Sequence, residues 1–237
     1  MTTAPLKSVR RAAIRSRIGV GLSAFNQLQV SARLYGGTDK VVHGYMPYYE
    51  THLGPRRLRK QLVFEIGVGG YKDRLPSGSL RVWRDYLGRS TIVGLDIEEK
   101  EVRLGPRVKF EKCDQSKASD LLNVVAKYGR PHVVIDDGSH IGVHINTSFD
   151  TLWPQLHSGG IYVIEDLSTS YYPDFGGGDP VPADSGVGLV QSLVDSVQAR
   201  DNTFQRRPWW GTRSAPRHSE VSAVFVYPGI AFVIKAT

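Results

Sequence analysis

Residues 61–70 read QLVFEIGVGG, a short apolar run that ends in glycine. A run of this length, rich in β-branched and aromatic residues, predicts a buried strand. The glycines predict a tight turn in which the backbone can approach a ligand closely, although such a turn is weak evidence for any particular ligand. The stretch therefore predicts the first strand of a ligand-binding sheet.

Strand-like and helix-like segments alternate along the rest of the chain. Further strands are predicted at 91–97, 107–112, 132–136 and 160–165, and helices at 79–87, 118–128, 141–153 and 187–200. A hairpin over 221–227 and 230–235 turns at Pro228-Gly229. Strands separated by helices predict an α/β fold with a mainly parallel sheet, to which the C-terminal hairpin adds antiparallel strands. Two segments without periodicity, 168–186 and 201–218, are predicted to be loops.

Acidic residues stand at the ends of five successive predicted strands. They are Glu65, Asp96, Asp114, the pair Asp136 and Asp137, and the pair Glu165 and Asp166. Each acid alone is also typical of a helix N-cap, but five in succession are not explained that way. Open α/β sheets bind ligands at this edge, and an acid at Asp96 suits the two hydroxyls of a ribose.

Asp137, Glu165 and Asp166 form a candidate metal site. Three carboxylates brought together by adjacent strands repel one another unless a cation neutralises them, and Mg²⁺ prefers carboxylate oxygens. Mn²⁺ accepts the same ligands. His140 follows three residues after Asp137, and a histidine can accept a proton near neutral pH. A lone histidine is more often a surface or capping residue, but the Asp-Asp-Gly-Ser-His context favours catalysis.

Charge and composition divide the chain at about residue 35. Six basic residues precede the first acid, Asp39, so residues 1–35 form a basic arm, while the body 36–237 is nearly neutral and predicted to be one domain. A neutral body does not predict a nucleic-acid groove. The arm has helical spacing and is predicted to dock on the body or a partner subunit; a membrane-surface helix and a transit peptide are the alternatives. One cysteine, Cys113, and no long apolar run fit a cytoplasmic enzyme.

Several motifs together resemble the metal-dependent sugar O-methyltransferases of the macrocin and mycinamicin type. They are GTDKVVHGYMPYYETHL at 37–53, EIGVGGY at 65–71, GSLRVWRDY at 78–86, IVGLDI at 92–97, CDQS at 113–116, VIDDGSH at 134–140 and GGIYVIEDLSTSYYPDFGG at 159–177. The resemblance covers about residues 36–237 and leaves the arm unexplained. It implies a Rossmann-like methyltransferase fold that uses S-adenosylmethionine (SAM) and Mg²⁺, and we expect a homodimer.

The resemblance also implies roles for individual residues. SAM would be bound by Glu65, Gly67, Gly69, Asp96, Asp114, Gln115, Asp136, Thr38 and Ser79, with Asp39 as a further contact. The metal ligands would be Asp137, Glu165 and Asp166, and the general base would be His140. Asp96 would hold the ribose hydroxyls, and Asp114 and Gln115 would flank the adenine.

The acceptor predicted from this resemblance is a sugar hydroxyl. Family members of the mycinamicin kind carry a further N-terminal domain, so this short chain favours an oligosaccharide or polysaccharide, such as the 1-OH of a methylated mannose in a compact mycobacterial relative. A glycosylated natural product is the other acceptor class. Tyr171, Tyr172 and Phe175 follow the metal acids and suit a sugar ring. The Arg/Trp-rich segment 201–218 suits either packing or gripping of a sugar chain.

Three other functions compete with methyl transfer. A cephalosporin hydroxylase-like or other tailoring enzyme of the same fold would require a redox cofactor and oxygen. A dinucleotide dehydrogenase would leave the metal acids without a role. A non-catalytic membrane-binding module would rest on the basic arm alone.

Overall fold

The structure, a computed structural model, describes residues 28, 32, 38–69, 78–200 and 216–237. The predicted helix of the basic arm, Gly70 and most of the segment 201–218 lie outside the described residues. The chain divides into two compact units, residues 1–112 and 113–237, and each is described by itself. The predicted boundary at residue 35 stays a prediction.

The first unit contains three parallel strands. They are β1 (Leu62–Ile66), β2 (Thr91–Asp96) and β3 (Val108–Lys112), in the order β3-β2-β1. Within 38–69 and 78–112, the described part of this unit that follows Ala32, the α-helices are α1 (Met46–Leu53) and α2 (Gly78–Tyr86), with 3₁₀ turns at Asp39–Val41 and Gly54–Arg56. Tyr49 of α1 packs against Trp83 of α2 with ring centroids 4.8 Å apart, and both are fully buried. This aromatic contact lies in the unit's apolar core.

The second unit combines parallel and antiparallel strands. They are β4 (Val133–Asp136), β5 (Ile161–Ile164), β6 (Val221–Tyr227) and β7 (Ile230–Lys235), in the order β4-β5-β7-β6. β4 and β5 are parallel, whereas β7 is antiparallel to β5 and β6 is antiparallel to β7. Its α-helices are α3 (Ala118–Tyr128), α4 (Gly142–Leu152) and α5 (Gly186–Gln198). Every residue of β4 and β5 is buried, as expected of parallel strands.

The predicted α/β class, with mainly parallel strands and a closing antiparallel hairpin, is confirmed. The hairpin and the helix at 118–128 have the predicted bounds, and the other predicted elements differ by one or two residues at an end. The structure adds α1, which the sequence analysis did not assign. It also places two 3₁₀ helices, Leu167–Tyr171 and Pro173–Phe175, at the predicted loop 168–186. These turns are too short to show a period in the sequence.

Among the described residues, none of the helices is both long enough and apolar enough to cross a membrane.

Candidate active site

The glycine turn after β1 has the geometry that the sequence predicts. Gly67 and Gly69 have φ angles of 85° and 63°, which L side chains rarely adopt. The N–H of Gly67 donates to the carbonyl of Leu95 at 2.8 Å, and the N–H of Val68 donates to Asp96 Oδ2 at 3.0 Å. The turn is therefore held against the end of β2 by backbone contacts and by the predicted ribose-binding acid.

Asp96 has a partner that the sequence analysis missed. Lys100 Nζ donates to Asp96 Oδ2 at 2.6 Å and to the carbonyl of Gly69 at 2.6 Å. Asp96 Oδ1 accepts the N–H of Glu98 at 3.0 Å. Lys100 thus links the glycine turn to the end of β2 and keeps positive charge beside the carboxylate. The only sequence signal for it is its position four residues after Asp96.

Glu65 lies at the centre of a buried polar cluster in the first unit. Its carboxylate is fully buried and accepts Ser79 Oγ and Trp83 Nε1, each at 3.0 Å. Lys40 Nζ lies 3.5 Å from Glu65 Oε1, and this ammonium is also buried. Glu65 and Ser79 therefore contact each other here, and their predicted cofactor contacts stay predictions.

Thr38 provides a test of whether the first unit suits a polar ligand. Its hydroxyl is buried and makes no hydrogen bond within the described part of the chain. A buried polar atom without a hydrogen bond is costly, and an ordered water, an ion or another bound group can account for it. Gln61 Oε1 of the same unit is in the same state. This state of the Thr38 hydroxyl fits the predicted contact with the cofactor.

In the second unit, Asp114 and Gln115 follow β3 along the chain. Asp114 Oδ1 accepts the N–H and the hydroxyl of Ser116 at 3.0 and 2.7 Å, and the hydroxyl contact lowers the pKa of Asp114. These bonds close a turn ahead of α3, but the N-cap of α3 is Lys117, so Asp114 does not have the helix-capping role considered above. Gln115 is buried and its side chain points to other polar groups of the same unit.

Asp136 lies in the buried interior at the end of β4. Its Oδ1 accepts Gln115 Nε2 at 2.6 Å, and its Oδ2 accepts the hydroxyls of Ser148 and of Tyr162, the latter at 3.1 Å. Burial raises the pKa of Asp136 to about 6, against these hydrogen bonds, which favour the ionised form. Its carbonyl oxygen accepts the N–H of Glu165 at 3.0 Å, so the ends of β4 and β5 are joined at this residue.

Three predicted site residues converge directly after β4 and β5. Ligand atoms of Asp137, His140 and Asp166 lie within 4.8 Å of one another, and all three side chains are partly exposed. His140 Nε2 is 3.6 Å from Asp166 Oδ2. Glu165 is buried and stands outside this group of described residues, so its role as a metal ligand stays a prediction. The carboxylates of Asp137 and Asp166 suit Mg²⁺ or Mn²⁺, whereas an imidazole is a ligand more typical of Zn²⁺, Cu²⁺ or Fe²⁺, so this group fits the predicted cation through its carboxylates.

The backbone at this cluster is strained. Among the described residues, His140 and Asp166 are the two non-glycine residues with positive φ, at 59° and 52°. The Thr169 hydroxyl lies 2.7 Å from the carbonyl oxygen of Asp166 and 3.3 Å from that of His140, so one side chain contacts both positions. Left-handed conformations cost about 1–3 kcal/mol each and cluster at active sites and ligand clamps, although Asp and His adopt them more readily than most residues. The sequence analysis missed Thr169, which has no signal beyond its place in the STSYY run.

Comparison with solved structures gives the class of protein first. The fold is that of the SAM-dependent methyltransferases. The MycE methyltransferase of the mycinamycin biosynthetic pathway, solved in complex with Mg, SAH and mycinamycin VI, matches 89% of this chain and 54% of its own. The TM-score is 0.79 and the sequence identity 36%.

Sequence comparison identifies individual relatives within this class. The chain is 40% identical over 201 residues to 8-demethyl-8-alpha-L-rhamnosyl tetracenomycin-C 2'-O-methyltransferase of Streptomyces olivaceus, which covers 84% of this chain and 52% of the relative. It is 42% identical over 199 residues to demethylmacrocin O-methyltransferase of Streptomyces fradiae, and this alignment covers 82% of this chain and 49% of the relative. The predicted resemblance to macrocin- and mycinamicin-type sugar O-methyltransferases is confirmed.

The match covers part of each relative. The chain spans about half the length of the curated relatives that it matches. No protein-family profile matches the chain.

Proposed function

We propose that this protein transfers the methyl group of SAM to a hydroxyl of a sugar, with the help of Mg²⁺ or Mn²⁺. The observation that carries the proposal is the convergence of Asp137, His140 and Asp166, two of them held in left-handed conformations. Similarity to relatives named as O-methyltransferases, one of them acting on a rhamnosyl tetracenomycin, supports the same reaction.

The first unit offers contacts for the methyl donor. Asp96 would receive the ribose hydroxyls in addition to its contacts with Val68 and Lys100, and the positive φ angles of the glycine turn support a close approach of the ligand to the backbone. The Thr38 hydroxyl would find there the hydrogen bond that it lacks among the described residues.

The chemistry at the second unit follows from the groups present. The acceptor oxygen forms a bond to the methyl carbon, the carbon–sulfur bond breaks, and its electron pair stays on sulfur to give SAH. The hydroxyl proton passes to His140 Nε2. Asp137 and Asp166, with Glu165 as the further predicted ligand, would hold the divalent cation, whose positive charge would favour loss of this proton.

The surroundings of the cluster support a sugar as the acceptor. Phe175 lies 6.3 Å from the ring of His140, and the exposed Tyr171 and Tyr172 stand on the segment that follows Asp166. Aromatic faces suit the apolar faces of sugar rings. The name of one relative specifies a rhamnosyl group on tetracenomycin C, so a glycosylated natural product is the acceptor that we propose to test first. A methylated mannose oligosaccharide is the second. The dimer, the membrane contact through residues 1–35 and the cytoplasmic location remain predictions.

Binding of the methyl donor is the first test. Isothermal titration with SAM is expected to give micromolar affinity for the wild-type chain, and Asp96→Asn is expected to raise the dissociation constant at least tenfold, because the amide removes one acceptor and the negative charge. Glu99→Ala, which changes a neighbouring exposed acid, is the matched control and should leave binding unchanged. An absence of SAM binding by the wild-type chain would favour the oxidising or non-catalytic functions instead.

Metal dependence is the second test. Removal of divalent cations with EDTA is expected to abolish methyl transfer to the sugar, and Mg²⁺ or Mn²⁺ should restore it. Asp166→Asn should weaken Mn²⁺ binding at least tenfold, measured from the loss of the free-ion signal in electron paramagnetic resonance, because one carboxylate of the cluster is removed. Methyl transfer that persists unchanged in EDTA would contradict the proposed use of the cluster.

A further inference from the structure

Gln115 contacts the loop that carries two of the converging side chains. Its Oε1 accepts the N–H of Ser139 at 2.9 Å, and Ser139 lies directly before His140 and two residues after Asp137. The other end of the amide, Nε2, donates to Asp136 Oδ1 at 2.6 Å and contacts Ser148 Oγ at 3.3 Å. Both polar atoms of Gln115 are therefore engaged inside the second unit.

The contact fixes a short and strained loop from its buried side. The hydroxyls of Ser148 and Tyr162 anchor the carboxylate of Asp136. Gln115 joins this carboxylate to the backbone N–H of Ser139, three residues further along the chain. Between these two points stand Asp137 and Gly138, and just beyond them stands His140 in its left-handed conformation. An amide is the side chain that suits this place, because it donates at one end and accepts at the other.

We infer that Gln115 is a positioning residue for the metal-binding loop. It acts through Ser139 and Asp136, which set the direction of the Asp137 and His140 side chains, and it does not itself touch the metal. This inference rests on the proposed function. It goes beyond the role that the family resemblance implies, which places Gln115 beside the adenine of the cofactor.

The two roles predict different results for one substitution. Gln115→Leu keeps the approximate volume but removes the acceptor for Ser139 and the donor to Asp136. Loss of a residue that orients a metal ligand typically weakens metal binding about 10–100-fold. A residue that only flanks the adenine would instead weaken cofactor binding and leave metal binding unchanged.

The experiment measures the two affinities separately on the full chain. Mn²⁺ alone is titrated and followed by electron paramagnetic resonance, and SAH is titrated by calorimetry. Gln115→Leu is expected to weaken Mn²⁺ binding at least tenfold and SAH binding less than threefold. Gln191→Leu, an exposed glutamine of α5, is the matched control and should change neither.

A second variant and a structural measurement guard against general damage to the fold. Gln115→Met removes the same two hydrogen bonds with an unbranched side chain, so it should give the same losses if Gln115→Leu folds poorly, and far-UV circular dichroism shows whether each variant is folded. Unchanged Mn²⁺ binding in a folded variant, or equal weakening of Mn²⁺ and SAH binding, would overturn the inference. If the wild-type chain binds neither Mn²⁺ nor SAH, the proposed function itself fails and the inference falls with it.

Discussion

Replacing His140 by alanine is expected to lower kcat for methyl transfer by about 10²–10⁴-fold, the usual contribution of a general base. The structure places His140 Nε2 only 3.6 Å from Asp166 Oδ2, so the imidazole stands among the candidate metal ligands and could also contact a cation. The variant distinguishes a general base from a metal ligand. A general base is needed for proton removal, and its loss should leave the dissociation constants of SAM and Mn²⁺ within about threefold of wild type.

The measurements are steady-state kinetics with a glycosylated acceptor, SAM calorimetry and Mn²⁺ titration. His157→Ala, which changes a partly buried histidine near the start of β5, is the control and should retain wild-type kcat. A tenfold or greater loss of Mn²⁺ affinity in His140→Ala would identify His140 as a metal ligand. Equal losses of turnover and SAM affinity would exclude it as the base.

Replacing Lys40 by methionine is expected to lower the free energy of unfolding by about 3–5 kcal/mol, because it leaves the carboxylate of Glu65 buried without the positive charge beside it. Lys40 and Glu65 are both almost completely inaccessible, so water cannot take the place of the lost ammonium. Urea denaturation at neutral pH measures the effect. It is the largest effect on stability that we expect from a single substitution at the candidate site.

Two further variants test whether the buried charge of Glu65 causes the loss of stability in Lys40→Met. Lys109→Met changes an exposed lysine of β3 and should alter the free energy of unfolding by less than about 0.5 kcal/mol. Glu65→Gln in the Lys40→Met background should recover part of the lost stability, because a neutral amide has less need of a cation. If the double variant is no more stable than Lys40→Met, loss of packing around Lys40, and not the uncompensated charge, would be the cause.

The fold was predictable because its signals are local. The apolar runs of β1, β4 and β5 end at glycine or at acids, and the Pro228-Gly229 turn sets the hairpin. Helix α1 was not assigned because its MPYYETHL sequence has a weak apolar period, and its helical state depends on contacts such as that between Tyr49 and Trp83. Tertiary packing of this kind leaves little trace in a local pattern.

The candidate site was predictable where residue type alone points to chemistry. The strand-end acids and His140 carry that information, and the structure brings Asp137, His140 and Asp166 together. Lys40, Lys100 and Thr169 were missed, because each acts through a partner distant in sequence or through a backbone atom, and neither kind of partner can be seen in the residue string. The link between Gln115 and Ser139 was missed for the same reason: the two are separated by 24 positions.

The contact of Thr169 with the backbone at His140 and Asp166 has a consequence for the entropy of substrate binding. The segments around His140 and Asp166 lose their conformational freedom when the protein folds, because folding forms their left-handed turns and the Thr169 hydroxyl contacts both. In the proposed reaction, little further ordering of these turns would be needed when the acceptor binds. The binding free energy of the acceptor would then be available for aligning its hydroxyl with the methyl group, an alignment that can lower a barrier by about 7–11 kcal/mol.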